Sequence, residues 1–183
     1  MGQLRAAWRQ PVGDTGRLPA RNVVAVGDAQ CHTNPLYGWG VSMAFAQAFA
    51  LAEAVAKAGR GRDAVEVQAA YAARTSTEAA ERHRASIGLD SGYNRSWRGE
   101  PVDFLSPDAE PDAFRVRACG LAAAAVPQVH QRYARWIGLL DRSEALDSDA
   151  ELKDLVQAAA RTVLARMPAS ALPARDDLLA RCT

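Results

Sequence analysis

The chain has 183 residues, enough for one ordinary domain, and 49% of them are hydrophobic. Its 22 basic and 21 acidic residues leave a formal net charge of +1, which argues against a nucleic-acid-binding surface. The three cysteines, at positions 31, 119 and 182, are too few and too widely spaced for a disulfide framework or a CxxC metal site. No signal peptide and no membrane span is predicted, so we expect a cytoplasmic protein.

The first predicted element is a short strand. Residues 22–26 form an apolar, β-branched run that ends at Gly27 and Asp28. Such a run is typical of a strand in a sheet that is covered on both faces. Because one strand cannot form a sheet, we expect its partners to be supplied from elsewhere.

Two helices are predicted next, over residues 40–58 and 63–86. Gly59 follows the first helix in the position of a C-cap. The first helix carries a ridge of minimal side chains at four-residue spacing, which predicts close packing on one face. The members of this ridge are Gly40, Ala44, Ala48, Ala52 and Ala56.

The predicted organisation has three parts. Residues 1–88 hold the strand and the two helices, residues 89–112 form a connecting loop, and residues 113–183 form a helical carboxy-terminal region. The last helix is predicted to begin with a capping box made by Ser148 and Glu151.

Residues 24–51, VAVGDAQCHTNPLYGWGVSMAFAQAFAL, carry the most information about chemistry. Asp28 after a strand could simply end that strand, and Gly38 and Gly40 alone would be ordinary turn glycines. Taken together, these residues predict a strand, a sharp turn that bears a carboxylate, and a loop that opens a helix. That geometry directs the free N–H groups of the helix amino terminus toward an electron-rich ligand.

This segment resembles the second FAD motif of the aromatic-ring-hydroxylase-like flavoprotein monooxygenases, GDAxHxxxPxxGxGxNxAxxDAxxLA. The matching positions are Gly27, Asp28, Ala29, Pro35, Gly38, Gly40, Ala44, Ala48, Leu51 and Ala52. A sub-group with the pattern GDAxCxxNPxYGxGMSxAxxQAxAL is closer still. Its further matches are Cys31, Asn34, Tyr37, Ser42 and Gln47. The commonest family pattern has His in place of Cys31 and Asn in place of Ser42.

The resemblance implies FAD as the cofactor and assigns roles to the motif residues. Asp28, next to Gly27, would bind ribose hydroxyls, and Pro35 would line the isoalloxazine side of the site. Gly38 and Gly40 would let the backbone approach the ring. The N–H groups near Gly40, Val41 and Ser42 would face the pyrimidine edge of the flavin, where negative charge collects on reduction.

Only 21 residues precede position 22, too few for the family's Gly-x-Gly-x-x-Gly phosphate loop in its βαβ unit. The expected fold is therefore a mainly α-helical fragment of an α/β FAD-binding fold. The expected function is the carboxy-terminal part of an FAD-dependent monooxygenase-like enzyme, incomplete and inactive alone, with NAD(P)H as a candidate electron donor. The alternatives are a reductase or halogenase relative, or a truncated, non-catalytic helical association module.

The sequence assigns no functional role to residues outside the motif positions named above. Cys31 and His32 lack spaced partners for a metal site, and no catalytic residue or metal ligand is assigned. The substrate is a small molecule of unknown identity. We also expect that the chain alone binds FAD weakly or not at all. We further expect an exposed apolar face that leads to self-association or requires a missing amino-terminal half.

Overall fold

The protein is mainly helical, as the computed structural model of the chain shows. The structure describes residues 6–13, 20–59, 63–166 and 180. Two short strands, β1 (Ala7–Trp8) and β2 (Cys31–His32), pair in antiparallel fashion. Trp8 lies opposite Cys31, so this pair of strands connects the amino-terminal segment to the loop that contains Cys31 and His32. The derivation from an α/β FAD-binding fold remains a prediction.

Two long helices form the first half of the fold. Helix α1 runs from Trp39 to Ala58, one residue longer than predicted, and helix α2 runs from Ala64 to Trp97. Asp63 caps α2 by accepting a hydrogen bond from the Val65 N–H at 3.0 Å. The two helices pack against each other along α1.

The start of the predicted loop at residues 89–112 was wrong, because α2 continues through its first nine residues to Trp97. Leu89 is buried in the main core and Gly92 is buried too, so tertiary packing holds this end of the helix. The connection that remains, residues 98–110, contains turns and no regular helix.

The second half of the chain is a small helical array. Helices α3 (Pro111–Ala113) and α4 (Cys119–Ala123) flank a π-helical turn, Phe114–Ala118. They are followed by α5 (Pro127–Ile137), α6 (Glu144–Asp147) and α7 (Ala150–Arg166). Asp149 caps α7, accepting from the Leu152 N–H at 2.9 Å, so the predicted Ser148 cap was wrong.

One apolar core joins the two halves. It contains Trp39 and Met43 of α1, Leu89 of α2, and Phe114 and Trp136 from the second half. The predicted segments 1–88 and 113–183 therefore share a core in the folded chain. Whether they are separate domains stays a prediction.

The strand predicted at residues 22–26 does not form. The backbone is extended at Val26, but residues 23–26 have no backbone partner among the described residues. Side chains of α2 take the place of a neighbouring strand: Gln68 donates to the Val23 carbonyl at 2.6 Å, and the Tyr71 hydroxyl donates to the Ala25 carbonyl at 2.9 Å. Because these side chains already bond to the carbonyls of Val23 and Ala25, the segment needs fewer hydrogen bonds from a neighbouring strand.

The prediction of a buried alanine ridge on α1 was also wrong. Ala48, Ala52 and Ala56 are exposed, whereas Met43, Gln47, Ala50 and Ala54 form the buried face. The face that packs on α2 lies about a quarter turn away from the ridge. The ridge is close-packed only at its first turns, where Ala44 lies against Gly27.

The bare side of α1 is apolar. It exposes three large side chains at four-residue spacing, Val41 (69% exposed), Phe45 (64%) and Phe49 (70%), together with Ala48, Ala52 and Val55; this face is called the α1 stripe. Within the described ranges, α1 is also the one helix long and apolar enough to span a membrane, with a mean hydropathy of 1.3. Core helices of water-soluble proteins share these properties, so the absence of a membrane span stays a prediction.

Candidate functional site

The predicted site residues lie in two tight turns that lead into α1. The first is a 3₁₀ turn at Gly27–Ala29, and the second is a 3₁₀ turn at Pro35–Tyr37. Gly27 and Gly38 have φ of 63° and 73°, in the left-handed region that side chains other than glycine rarely adopt. The two glycines therefore allow the chain to reverse direction before and after the loop.

The first turn is fastened to α1. The Gly27 N–H donates to Oε1 of the buried Gln47 at 2.6 Å. A Cβ added to Gly27 would lie 3.3 Å from Cβ of Ala44, so the turn and the helix are in close contact. Gln47 matched the motif, but the sequence alone had not assigned it this structural role.

The contact with α1 places Asp28 beside the helix amino terminus. Oδ1 of Asp28 lies 3.7 Å from the position that a Cβ on Gly40 would occupy. Asp28 is exposed, and its Oδ2 lies 3.3 Å from Nδ1 of His32. Gly40 is the second residue of α1. Because the N-cap is Gly38, the first N–H groups of α1 have no capping side chain among the described residues.

The remaining predicted residues surround this amino terminus. Val41 is exposed in the first turn of α1, and Ser42 is half-buried beside it. Pro35 is exposed at the start of the second turn. All seven predicted residues therefore fall within one stretch of sixteen residues, and the fold brings Asp28 and Gly40 together across that stretch.

Helix α2 holds the rest of the loop in position through a row of polar side chains. Thr75 accepts from the Gln30 side chain at 3.2 Å, and Ser86 accepts from the Asn34 N–H at 3.2 Å. Asp90 accepts from Nδ2 of Asn34 at 2.9 Å and from the Tyr37 hydroxyl at 2.6 Å. These partners lie 45 to 56 residues away along the chain, so local patterns could not have revealed them.

Cys31 and His32 are not arranged as a reactive pair. Burial, and secondarily the charge of Asp28, raises the pKa of the Cys31 thiol to about 11. A thiol with this pKa is protonated at neutral pH and is a poor nucleophile. In the part of the chain that the structure describes, no group of three or more His, Cys, Asp or Glu side chains is placed to hold a metal ion.

The arrangement can bind a ligand that combines hydroxyls with an electron-rich edge. The Asp28 carboxylate accepts hydrogen bonds, and the N–H groups at the α1 amino terminus donate them. The absence of a Cβ at Gly40 keeps the space between them open.

Comparisons with known proteins assign no family to this arrangement: no family model, no curated protein and no solved structure matches the chain. The functional argument therefore depends on the site geometry and on the motif resemblance.

Proposed function

We propose that this chain supplies the second flavin-contacting segment of an FAD-dependent oxidoreductase similar to the aromatic-ring hydroxylases. The observation that carries the proposal is the placement of the Asp28 carboxylate next to Gly40, at an amino terminus of α1 that no side chain of the described residues caps. Donors and an acceptor then face one open space, as FAD recognition by this motif requires.

The roles of the other motif residues follow from this placement. Gly27 and Gln47 hold the carboxylate in position, Gly38 opens the turn, and the N–H groups near Val41 and Ser42 donate to the ligand. FAD, when bound, would supply the electron transfer. NAD(P)H is a candidate electron donor, and the reaction could be that of a hydroxylase, a reductase or a halogenase.

A partner segment with the phosphate-binding loop is part of the proposal. Without pyrophosphate contacts, the chain alone should bind FAD weakly, because the remaining contacts offset little of the entropy lost on binding. The exposed stripe on α1 and the extended edge at residues 23–26 are surfaces on which such a segment could pack.

The test is an NMR titration of the purified chain with FAD. We expect weak, saturable shifts of the Gly40 and Val41 amides, and Asp28→Ala should abolish them. Asp108→Ala is the matched control, because Asp108 is an exposed carboxylate outside the site.

Three outcomes would contradict the proposal: no shift at these amides, shifts that survive Asp28→Ala, or loss of the shifts in Asp108→Ala. Purification of the chain with stoichiometric flavin would instead refute the requirement for a partner segment.

A helical association module is the second candidate, and the pattern of the α1 stripe favours it. Val41, Phe45, Ala48, Ala52 and Val55 are spaced alternately by four and three residues, as in helices that pair along a seam. If a second copy packs antiparallel, Phe45 lies opposite Ala52 of that copy and Phe49 lies opposite its Ala48. Large side chains then meet small ones at each level of a two-fold interface.

Sedimentation velocity tests this second candidate. The chain should form a dimer as its concentration rises, and Phe49→Glu should keep it monomeric. Ile87→Glu is the control, since Ile87 is an exposed apolar residue on α2 away from the stripe. A monomer at all concentrations, or equal dissociation by both variants, would argue against the module.

A further inference from the structure

A cleft opens between α1, α2 and the turn at residues 139–142, and its lining includes Gln47 of the motif but none of the predicted flavin contacts. Its volume is about 250 Å³. Its lining includes the apolar side chains of Met43 and Ala50 of α1, Ala79 of α2 and Leu139. Neither Asp28 nor Gly40 lines this cleft. The volume matches a ligand of roughly eight to twelve non-hydrogen atoms, since each water in the liquid occupies about 30 Å³.

The acidic residues of the cleft are already neutralised. Glu78 accepts from Nε of Arg82 at 2.6 Å. Both oxygens of Asp141 accept from Arg135, at 2.7 and 2.8 Å, and this pair lowers the pKa of Asp141. The carboxylates of the lining are therefore committed to arginines that do not line the cleft.

The basic residues of the cleft are free by contrast. Arg74 and Arg142 both line it, and neither has an ion-pair partner within the described ranges. Glu81 lies within electrostatic range of Arg142 but forms no ion pair with it. Burial, Glu78 and Glu144 raise the pKa of Glu81 and so disfavour its charge. The cleft consequently combines an apolar wall with uncommitted positive charge.

Backbone strain occurs at the same place. Helix α5 ends at Ile137, and two residues later Leu139 has a φ of 60°. The N–H of Leu139 donates to the Trp136 carbonyl, and that of Leu140 donates to the Arg135 carbonyl. Glycine is the usual residue at this position of such a helix end. A leucine here is strained, and it places an apolar side chain against both the core and the cleft.

We propose that this cleft binds a small organic carboxylate with an apolar body. The carboxylate pairs with the guanidinium groups of Arg74 and Arg142, which suit planar anions. The apolar body lies on Met43, Ala50 and Leu139. This inference goes beyond the flavin proposal and does not depend on it.

Octanoate, a carboxylate with ten non-hydrogen atoms, is a suitable probe. 1-Octanol is its uncharged analogue, and acetate is the carboxylate without a long apolar chain. The experiment is an NMR titration of the full chain below the micelle concentration of octanoate. We expect saturable shifts at Thr75, Ala79 and Leu140, with a dissociation constant in the millimolar range that a ligand of this size allows. Octanol and acetate should bind at least several-fold more weakly.

Two kinds of variant test separately how the charge and the shape of the cleft contribute to binding. The double variant Arg74→Ala/Arg142→Ala should weaken octanoate binding about tenfold or more, whereas Arg84→Ala should not, because Arg84 is exposed on α2 and does not line the cleft. Ala46→Trp, at an exposed position of the lining, should obstruct the cleft and abolish binding. Asp28→Ala should leave octanoate binding unchanged, so failure here is distinguishable from failure of the flavin proposal.

Several results would overturn the inference. They are the absence of saturable shifts up to about 10 mM, equal binding of octanoate and 1-octanol, and wild-type affinity in the double arginine variant. Shifts concentrated at Phe45 and Phe49 would show adsorption to the exposed α1 stripe instead, and would equally refute a specific site.

Discussion

Replacement of Arg82 by alanine tests how the two halves of the chain are held together. Arg82 is 1% exposed, and its guanidinium lies over the rings of Trp39 and Trp136, at 5.2 and 4.7 Å from the two ring centroids. Nε donates to Glu78, and Nη2 donates to the Trp136 carbonyl at 3.0 Å. The residue thus connects α1 and α2 to α5.

The expected cost is about 3–5 kcal/mol of unfolding free energy, because the change removes a large buried side chain, which leaves a cavity, and leaves the Trp136 carbonyl without its partner. Two cation–π contacts of about 0.5–2 kcal/mol each are lost as well. These contributions come from the same side chain and overlap, so the total cost is smaller than their sum. One buried nitrogen, Nη1, has no partner in the structure, and this offsets part of the stabilisation.

Urea unfolding monitored by tryptophan fluorescence and circular dichroism gives the free energy, and the melting temperature should fall by roughly 10 °C for a chain of this size. Arg82→Met should cost less, because it keeps most of the volume packed on the two rings and the partly exposed Glu78 can be hydrated. Arg84→Ala, on the same helix but exposed, should change stability by less than about 0.5 kcal/mol. If Arg82→Ala cost less than about 1 kcal/mol, or no more than Arg84→Ala, the reasoning would be refuted.

Three further predictions concern the motif loop. Gly27→Ala should destabilise the fold by about 1–2 kcal/mol, because φ is 63° and the new methyl would lie 3.3 Å from Ala44; denaturant unfolding with no loss would contradict this. Tyr71→Phe should cost about 1–2 kcal/mol in the same assay, since the Ala25 carbonyl and Oε1 of Gln30 both lose the hydroxyl that they contact, and an unchanged midpoint would exclude that role. Burial raises the folded-state pKa of Cys31 from 9.0 to about 11. The contribution of this thiol to the unfolding free energy is therefore complete below pH 9 and is lost as pH rises toward 11. Unfolding free energies measured across this range should therefore fall less steeply in Cys31→Ala than in the wild type, and parallel curves would count against the assignment.

Local sequence patterns were sufficient to predict the elements whose structure depends on residues close together in the chain. Helix α1 was predicted over 40–58 and is observed over 39–58, because Gly38 and Gly59 bound a run of good helix formers. The two turns of the motif follow from Gly27 and from Asn34-Pro35, whose backbone preferences are intrinsic. The site residues were likewise found together because they lie close in sequence.

Other features depended on contacts between distant residues. The apolar run at 22–26 fits a strand, but a strand exists only with a partner, and here α2 side chains bond to its carbonyls instead. The burial of α1 was predicted on the wrong face because the alanine ridge and the Met43 face are both apolar, and only the position of α2 decides between them. The extension of α2 to Trp97 depends on Leu89 and Gly92 being buried by the second half of the chain.

The sequence by itself therefore determined the motif loop, its two glycine turns and the start and end of α1, because dihedral preferences and caps act over a few residues. Tertiary structure alone decided how Asp28 is held beside Gly40. That placement requires Gln47 to accept from Gly27 and requires Ser86 and Asp90 to anchor the loop. It also decided that two arginines of the cleft between α1 and α2 have no ion-pair partner among the described residues, because Arg82 and Arg135 occupy the neighbouring carboxylates. Such pairings depend on distances across the fold, which the order of residues along the chain does not specify.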